Sequence, residues 1–224
     1  MYVSRVLLDR QNRETMVAMV YPQRFHGAVE RAFPGERRRR LWRLDQLGER
    51  LYLMILSEDR PDLSGIVSQF GQGAPGETKD YAPLLERIAR GGVWRFRLTA
   101  NPTVGKPPAC AHDRVREGER GGAPMERGKV TAHITPEFQK KWLLDRAETH
   151  GFLIKRVDVT GRKWLQFRKH GLGRPVTLLS VTYEGVLEVT DPVLFRETLT
   201  AGIGRGKAYG QGLLTVARAG ERHG

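Results

Sequence analysis

Histidine is the side chain of this sequence best suited to acid–base chemistry, because an imidazole gains or loses a proton near neutral pH. The chain has six: His26, His112, His133, His150, His170 and His223. His112 lies in a glycine- and proline-rich segment and His223 lies at the chain end, so neither is expected in a fixed site. His26 lies near the start of a predicted helix, beside its apolar stripe. A single histidine in such a position is usually an ordinary surface residue, so the residues alone do not distinguish it from His133, His150 and His170.

Two opposing effects bear on the protonation of His26. A helix N-terminus disfavours the positively charged imidazolium, whereas a carboxylate four residues further on favours it. Glu30 occupies that position. The sequence does not decide which effect is larger.

Metal and nucleotide-cofactor motifs are missing from the sequence, and we expect no cofactor and no metal ligands. Cys110 is the single cysteine, which excludes an internal disulfide and a zinc-type Cys/His spacing around it. The glycine-rich segment 202–212 fails the dinucleotide pattern because Lys207 stands at its third glycine position. It also fails the phosphate-loop pattern, since Ala201 and Ala208 replace required residues.

The same glycine-rich segment keeps two interpretations. Its backbone amides, with Arg205 and Lys207, could approach phosphates or pack against a neighbouring sheet. Alternatively, it is a flexible connection between a helix and a strand.

Positive charge is concentrated in two segments of the chain. The 224 residues hold 38 Lys and Arg against 25 Asp and Glu, a formal charge of +13. Segment 24–43 carries a net +5 and segment 155–174 a net +6. Such localised charge favours a polyanionic partner, nucleic acid first and an anionic membrane second.

Residues 105–129 hold charges of both signs and few large apolar side chains, which predicts a long mobile loop.

Neither a membrane span nor a secretory signal is expected. The apolar run Leu51–Leu56 is far shorter than the roughly 20 residues that a spanning helix needs. Near the N-terminus, Val6–Leu8 is followed at once by Asp9 and Arg10, unlike a signal peptide. We therefore expect a cytoplasmic protein that has no membrane partner.

The first ninety residues predict a strand, a helix, a hairpin, an unassigned segment and a second helix. Tyr2–Leu8 alternates like a strand, and Leu41–Leu47 with Leu51–Leu56 is typical of a hairpin. Tyr81–Ala89 predicts a short helix. A longer helix should begin near Pro22, with an apolar stripe of helical spacing at Phe25, Ala28, Val29, Ala32 and Phe33.

The second part repeats this order. A helix should follow the cap residue Thr135, with Phe138, Trp142 and Leu143 on its buried side and Gly151 at its end; another should run from Asp191 to Leu199. The predicted strands are Val93–Ala100, Lys129–Ile134, Phe152–Val159, Lys163–Lys169, Val176–Val189 and Leu213–Ala217.

The duplicated order predicts an α+β protein built from two tandem ferredoxin-like β-α-β-β-α-β domains. Residues 1–90 would form the first domain, which carries the His26 helix. Residues 91–220 would form the second, which carries a basic hairpin and the glycine-rich loop.

The basic hairpin is predicted within Lys155–Arg174, as two strands joined by Asp158–Arg162. On the second strand one face should carry Leu165 and Phe167, and the other Trp164, Gln166, Arg168 and His170. Such a hairpin could follow the phosphates of A-form RNA. An ordinary solvent-facing edge hairpin is the other interpretation.

Several motifs in order resemble one known family. They are the opening Met-Tyr-Val-Ser-Arg-Val, the early helix with His26, Trp94–Thr103, Val181–Pro192 and the Gly202–Leu214 segment ending Gly-Gln-Gly-Leu-Leu. Together they resemble the CRISPR repeat-processing endoribonucleases of type I-E systems, the CasE group of the RAMP superfamily. The similarity runs essentially from end to end.

This resemblance implies two RAMP-type ferredoxin-like domains and metal-independent cleavage of precursor CRISPR RNA at the base of the repeat hairpin. It also implies that the mature guide stays bound and joins the other subunits of Cascade. The partners would be the repeat stem-loop and those subunits.

The resemblance further implies that His26 is catalytic, since it matches the family's catalytic histidine. Related members commonly carry a tyrosine three residues before that histidine, whereas this chain has Gln23. Tyr21, two positions further back and across a proline, is a weaker candidate for a catalytic partner.

Ten basic residues are candidate RNA contacts: Arg24, Arg31, Lys155, Arg156, Arg162, Lys163, Arg168, Lys169, Arg205 and Lys207. They would serve equally in a non-catalytic RNA-binding RAMP subunit, which is the competing interpretation. The presence of His26 at the matching position favours the endoribonuclease.

Overall fold

The computed structural model describes residues 1–35, 38–105, 130–168 and 175–218, with the backbone alone at Val130. In chain order the strands are β1 (Tyr2–Leu8), β2 (Leu41–Leu47), β3 (Arg50–Ser57), β4 (Glu77–Asp80), β5 (Val93–Ala100), β6 (Thr103–Gly105), β7 (Val130–Ala132), β8 (Phe152–Phe167), β9 (Val176–Val189) and β10 (Leu214–Arg218). The helices are α1 (Arg13–Val20), α2 (Gln23–Arg31), α3 (Ser64–Phe70), α4 (Ala82–Glu86), α5 (Pro136–Ala147) and α6 (Pro192–Ala201).

The first sheet has the antiparallel order β2-β3-β1-β4. Residues of β1 alternate as predicted, and Ser4, Val6 and Leu8 turn their side chains to the buried face. That face packs on the apolar stripe of α2, where Phe25 and Val29 are fully buried. The periodicity of the sequence thus placed both the strand and the helix face correctly.

The second sheet repeats the topology with the order β10-β5-β9-β8. Strand, helix, two strands, helix and strand follow one another in each half, with the short pair β6-β7 added after β5. The predicted α+β architecture of two tandem ferredoxin-like units is therefore confirmed. The predicted boundary near residue 90 stays a proposal; it would fall between α4 and β5.

The first unit also contributes residues to the apolar core of the second unit. Leu41 and Leu56 are paired on β2 and β3 and lie on the face of the first sheet opposite its own helices. With Tyr81 and Ile88 they join the cluster that fills the second unit. Arg196 of α6 reinforces this contact by donating hydrogen bonds to the carbonyls of Leu85 and Ile88 at 2.8 and 2.6 Å.

Arg43 on β2 is a buried polar link between the units. Its guanidinium forms two 2.7 Å hydrogen bonds to the carboxylate of Asp45, which neutralises the charge. The same group donates 2.8 Å bonds to the carbonyls of Arg97 and Leu213 and to the hydroxyl of Thr215, all in the second unit. A buried arginine is tolerated because its donors are satisfied in this way.

The predicted basic hairpin needs correction. Phe152–Val159 and Lys163–Lys169 are not two strands joined by a turn, because β8 runs without interruption from Phe152 to Phe167. Two register shifts, near Lys155 and near Thr160, take up the extra residues as bulges. The hairpin is instead formed by β8 with β9.

The buried side of α5 also differs from the prediction. Trp142 and Leu143 are buried as expected, but Phe138 is 56% exposed. Gln139 takes the inward position, and its amide donates to the carbonyls of His133 and Ile134. Satisfying these backbone acceptors favours a buried amide over an apolar ring at this turn.

Four elements had no counterpart in the sequence prediction: α1, α3, β4 and β6. The predicted helix Tyr81–Ala89 is shorter in the structure, as α4, and the predicted strand Lys129–Ile134 is reduced to β7. The predicted loop at 105–129 lies almost entirely outside the described residues, as does Cys110.

Candidate active site and nucleic-acid interface

His26 lies in the first turn of α2, on the flank of its buried stripe. Its backbone amide donates to the carbonyl of Pro22, the residue that precedes the helix. Phe25 beside it is buried, whereas 24% of the His26 side chain is exposed. The helix therefore holds the imidazole at the surface on a backbone that is anchored by its apolar side.

Glu30 lies one turn beyond His26. Its Oε1 is 4.0 Å from Nδ1 of His26, and its Oε2 forms a 2.9 Å ion pair with Arg40. The Arg40 guanidinium is itself almost fully buried and lies 4.2 Å from the centre of the Phe33 ring. The carboxylate of Glu30 therefore lies between the imidazole of His26 and the guanidinium of Arg40.

The end of β8 meets the start of α2. The side-chain amide nitrogen Nε2 of Gln23 donates a hydrogen bond to the backbone carbonyl of Arg168 at 3.2 Å, which joins the two units at this point. Arg168 is exposed. A basic side chain of the second unit is thereby brought to the helix that carries His26, whereas Lys169 and His170 lie outside the described residues.

The faces of β8 alternate as the sequence predicted. Leu165 and Phe167 are buried and form a small cluster with Leu178. Arg162, Trp164 and Gln166 are exposed on the opposite face, and Arg168, directly after the strand, is exposed as well. The exposed face combines cations with an aromatic ring, a combination typical of RNA-binding surfaces.

The remaining basic residues of β8 are distributed differently. Lys163 shares the face of Leu165 and lines the cleft between the units, and desolvation lowers its pKa although much of the residue is exposed. Lys155 is ion-paired with Glu188, and Arg156 lies 3.7 Å from Asp158. Thirteen residues of extended strand span about 40 Å, so Lys155 does not approach Arg168.

The glycine-rich loop packs between the two units as well as connecting α6 to β10. Tyr209, in its short 3-10 turn, stacks edge-on against Phe167 with ring centres 4.8 Å apart. Gly210 adopts a φ of 75°, and a Cβ there would lie 2.7 Å from the Trp42 ring. Because the turn also packs against α2, the loop supports the helix of His26 and the strand of Arg168 together.

The two cations of this loop have different environments. Arg205 is exposed, and its backbone bridges to Asn101. The ammonium of Lys207 donates to the carbonyl of Gly204 at 3.0 Å, and burial, with a smaller effect of Arg39, lowers the pKa of Lys207. Lys207 therefore stabilises the loop from within.

The other candidates lie on the surface of the first unit. Arg24 is ion-paired with Glu14 at 2.8 Å, and Arg31 donates to the side chain of Gln69 at 3.1 Å. Tyr21 follows α1 and is 42% exposed. Arg24 and Arg31 share the helix of His26, and Tyr21 lies in the short connection before it.

A cleft of about 300 Å³ separates the two units beside this site. Pro22 and, on α2, Phe25 line one side, and Lys163 and Gln211 line the other. The structural roles of Trp42, Arg43 and Tyr209 in this region were missed by the sequence analysis. The only available signals were a tryptophan and an arginine on a predicted strand and a tyrosine among glycines.

The part of the chain that the structure describes contains neither a candidate metal site nor a membrane-spanning helix. Within residues 1–35, 38–105, 130–168 and 175–218, no three His, Cys, Asp or Glu side chains are grouped so as to hold a metal ion. In the same ranges no helix has the length and apolar character needed to cross a membrane.

Comparison with known proteins identifies the family. A family model described as CRISPR associated protein matches residues 1–218. The CRISPR-associated endoribonuclease Cse3 of Thermus thermophilus is 30% identical, across 97% of this chain and all of the relative.

Solved structures give the same result. One of CRISPR endoribonuclease Cse3 bound to a 19-nucleotide RNA is 28% identical, with a TM-score of 0.75 over 97% of this chain and all of that one. Another, of Thermus thermophilus Cse3 bound to an RNA representing a pre-cleavage complex, is 27% identical, with a TM-score of 0.73 over 96% and 98% of the two chains. The chain therefore belongs to the Cse3, or CasE, family of CRISPR-associated proteins.

Proposed function

We propose that this protein is a metal-independent endoribonuclease that binds CRISPR repeat stem-loops, cleaves precursor CRISPR RNA and retains the mature guide within Cascade. One observation carries the proposal: His26 lies on the helix against which the end of the basic strand β8 is fixed, by the contact of Gln23 with Arg168. The relatives named endoribonuclease, two of them with RNA bound, support it.

The proposed reaction uses the RNA's own 2′-hydroxyl as the nucleophile. Its oxygen attacks the adjacent phosphorus, the bond from phosphorus to the 5′-oxygen breaks, and the products are a 2′,3′-cyclic phosphate and a 5′-hydroxyl. His26 moves a proton in this step, either from the 2′-hydroxyl or to the leaving oxygen. Cations and backbone amides stabilise the charge that develops on the phosphorane. Tyr21 is our weaker proposal for a second proton-transfer group.

RNA binding is assigned to basic residues that were proposed from the sequence. Arg24 and Arg31 lie on α2, Arg162 lies on the exposed face of β8 with Arg168 directly after the strand, and Arg205 lies on the glycine-rich loop. These three elements meet around the cleft, so a stem-loop could contact both units at once.

The alternative function is a non-catalytic RNA-binding RAMP subunit of a CRISPR ribonucleoprotein. It uses the same fold and the same basic surface. The partly exposed imidazole of His26, next to Glu30, favours the enzyme, because a purely binding protein does not require an acid–base group there.

Incubation with a type I-E repeat RNA in excess EDTA tests the proposal. We expect a single cut at the base of the hairpin, unchanged by the chelator, because the nucleophile and the proton carrier need no metal. Product sizes are read from a denaturing gel, with an RNA whose stem is scrambled as control. Binding without any cut would favour the non-catalytic subunit, and a cut only after metal is restored would contradict metal independence.

The contribution of β8 to RNA binding can be measured through its salt dependence. Replacing Arg162 and Arg168 by alanine should reduce the slope of log affinity against log salt by roughly 1.4–1.8, since each lost phosphate contact removes about 0.7–0.9. The control variant replaces two exposed arginines elsewhere, Arg50 and Arg90. Equal slopes for both double variants would show that this face of β8 does not touch phosphate.

A further inference from the structure

Trp164 is an exposed aromatic residue in the middle of the basic face of β8. The other three tryptophans, Trp42, Trp94 and Trp142, are 2–6% exposed, whereas Trp164 is 55% exposed. Arg162 and Gln166 flank it on the same face of the strand. No aspartate or glutamate occurs in residues 159–168. The ring is thus presented among cations and an amide, without a nearby carboxylate along the strand.

The backbone beneath this ring is held firmly. Trp164 pairs with Leu179 of β9, and its neighbours Leu165 and Phe167 are buried on the opposite face. Phe167 in turn stacks on Tyr209 of the glycine-rich loop. Little conformational entropy is lost when such a pre-positioned ring makes a contact, which favours binding.

We propose that Trp164 stacks on an unpaired nucleobase of the bound repeat RNA, with Arg162 and Arg168 holding the adjacent phosphates. This inference rests on the proposed function. The charge of the surrounding face selects a polyanion over an apolar protein segment. The base must be unpaired, since the faces of bases inside an A-form stem are covered by their neighbours.

The position of Trp164 also limits where that base lies. Four residues of extended strand span about 13 Å. Trp164 is therefore about that far from Arg168, whose carbonyl meets Gln23 at the start of α2. A base stacked on Trp164 would lie about 13 Å from this junction of the two units, on the face of β8 opposite to the one that lines the cleft. Trp164 would help to orient the RNA by fixing a nucleotide outside the cleft.

Binding of a repeat RNA with a 2′-deoxy scissile nucleotide, which prevents cutting, tests this role. Trp164→Ala should weaken binding roughly 5- to 150-fold, the range that loss of one stacked base produces, whereas Trp164→Phe should recover most of it. Leu153→Ala is the matched control, because Leu153 is a 47% exposed apolar residue on the same strand. It should bind like the wild type.

Tryptophan fluorescence provides a second measurement, which would not change on RNA binding if Trp164 had only a structural role. Because Trp164 is the exposed tryptophan, RNA should quench the component of the emission that Trp164→Phe removes, and leave the buried tryptophans unchanged. An abasic nucleotide is then introduced at each unpaired position in turn. At one of these positions the difference between wild type and Trp164→Ala should disappear, which identifies the stacked base.

The outcomes separate this inference from the proposed function. Failure of the wild type to bind repeat RNA would overturn the function itself. Normal wild-type binding, with equal affinity for Trp164→Ala and no quenching, would overturn the stacking role alone. If affinity fell but no abasic position removed the difference, Trp164 would act on the strand and not on a base, and the inference would again be wrong.

Discussion

Replacement of His26 by alanine is expected to slow single-turnover cleavage of the repeat RNA by about 10²–10⁴-fold, the usual contribution of a general acid or base. Binding should change little, because the imidazole lies on the flank of α2 and its removal leaves the buried stripe intact. The measurement is a cleavage time course at saturating protein, together with a binding isotherm for each variant.

His133→Ala is the control for this experiment. His133 precedes α5 and contacts Phe138, so it belongs to neither α2 nor the end of β8. Cleavage at saturation should be unchanged in that variant. Comparable cleavage rates for His26→Ala and wild type would remove His26 from the mechanism and return the non-catalytic subunit as the better interpretation.

The second large effect concerns the substrate. A repeat RNA that lacks only the 2′-hydroxyl at the scissile nucleotide should not be cut, because the proposed nucleophile is absent, yet it should bind as tightly as the unmodified RNA. The same deoxy substitution one nucleotide away should leave cleavage normal. On the unmodified RNA the downstream fragment should carry a 5′-hydroxyl, which a kinase labels without prior phosphatase treatment.

Cleavage of the deoxy substrate at the normal site would show that water is the nucleophile. A protein that activates water would still use His26, so this result would revise the reaction and leave the site in place. Loss of binding by the deoxy RNA would instead mean that the hydroxyl is a recognition contact.

The candidate site is divided between the two units of the fold. α2 comes from the first unit, and β8 and the glycine-rich loop come from the second. The buried Arg43 and the apolar core to which both units contribute hold the units together. These contacts lie away from the site, and they fix the distance between His26 and the basic residues proposed to bind phosphate. Rigid support of this kind is what positioning in catalysis requires.

Local patterns in the sequence were sufficient to predict the helices and strands whose apolar residues recur with a clear period. β1 and β5 have the predicted bounds. Phe25, Ala28 and Val29 form the buried stripe of α2, and Ala32 and Phe33 are buried just beyond the end of the helix. The alternation around Trp164 was also correct. In each case a side chain's direction depends only on its position along a regular helix or strand. The candidate role of His26 came from the resemblance to the family, because hydrophobic periodicity carries no information about catalysis.

Contacts between distant segments decided the rest. Asp158–Arg162 was predicted as a turn but continues β8, because pairing with β9 absorbs Thr160 as a bulge. Arg43 is buried because its acceptors come from two other segments of the chain. The ammonium of Lys207 donates a hydrogen bond to the carbonyl of Gly204 within the same loop, because the loop brings these two residues together. Such outcomes depend on which segments meet in space, so the tertiary structure alone determined how the helix of His26 comes to meet the end of β8 at Arg168.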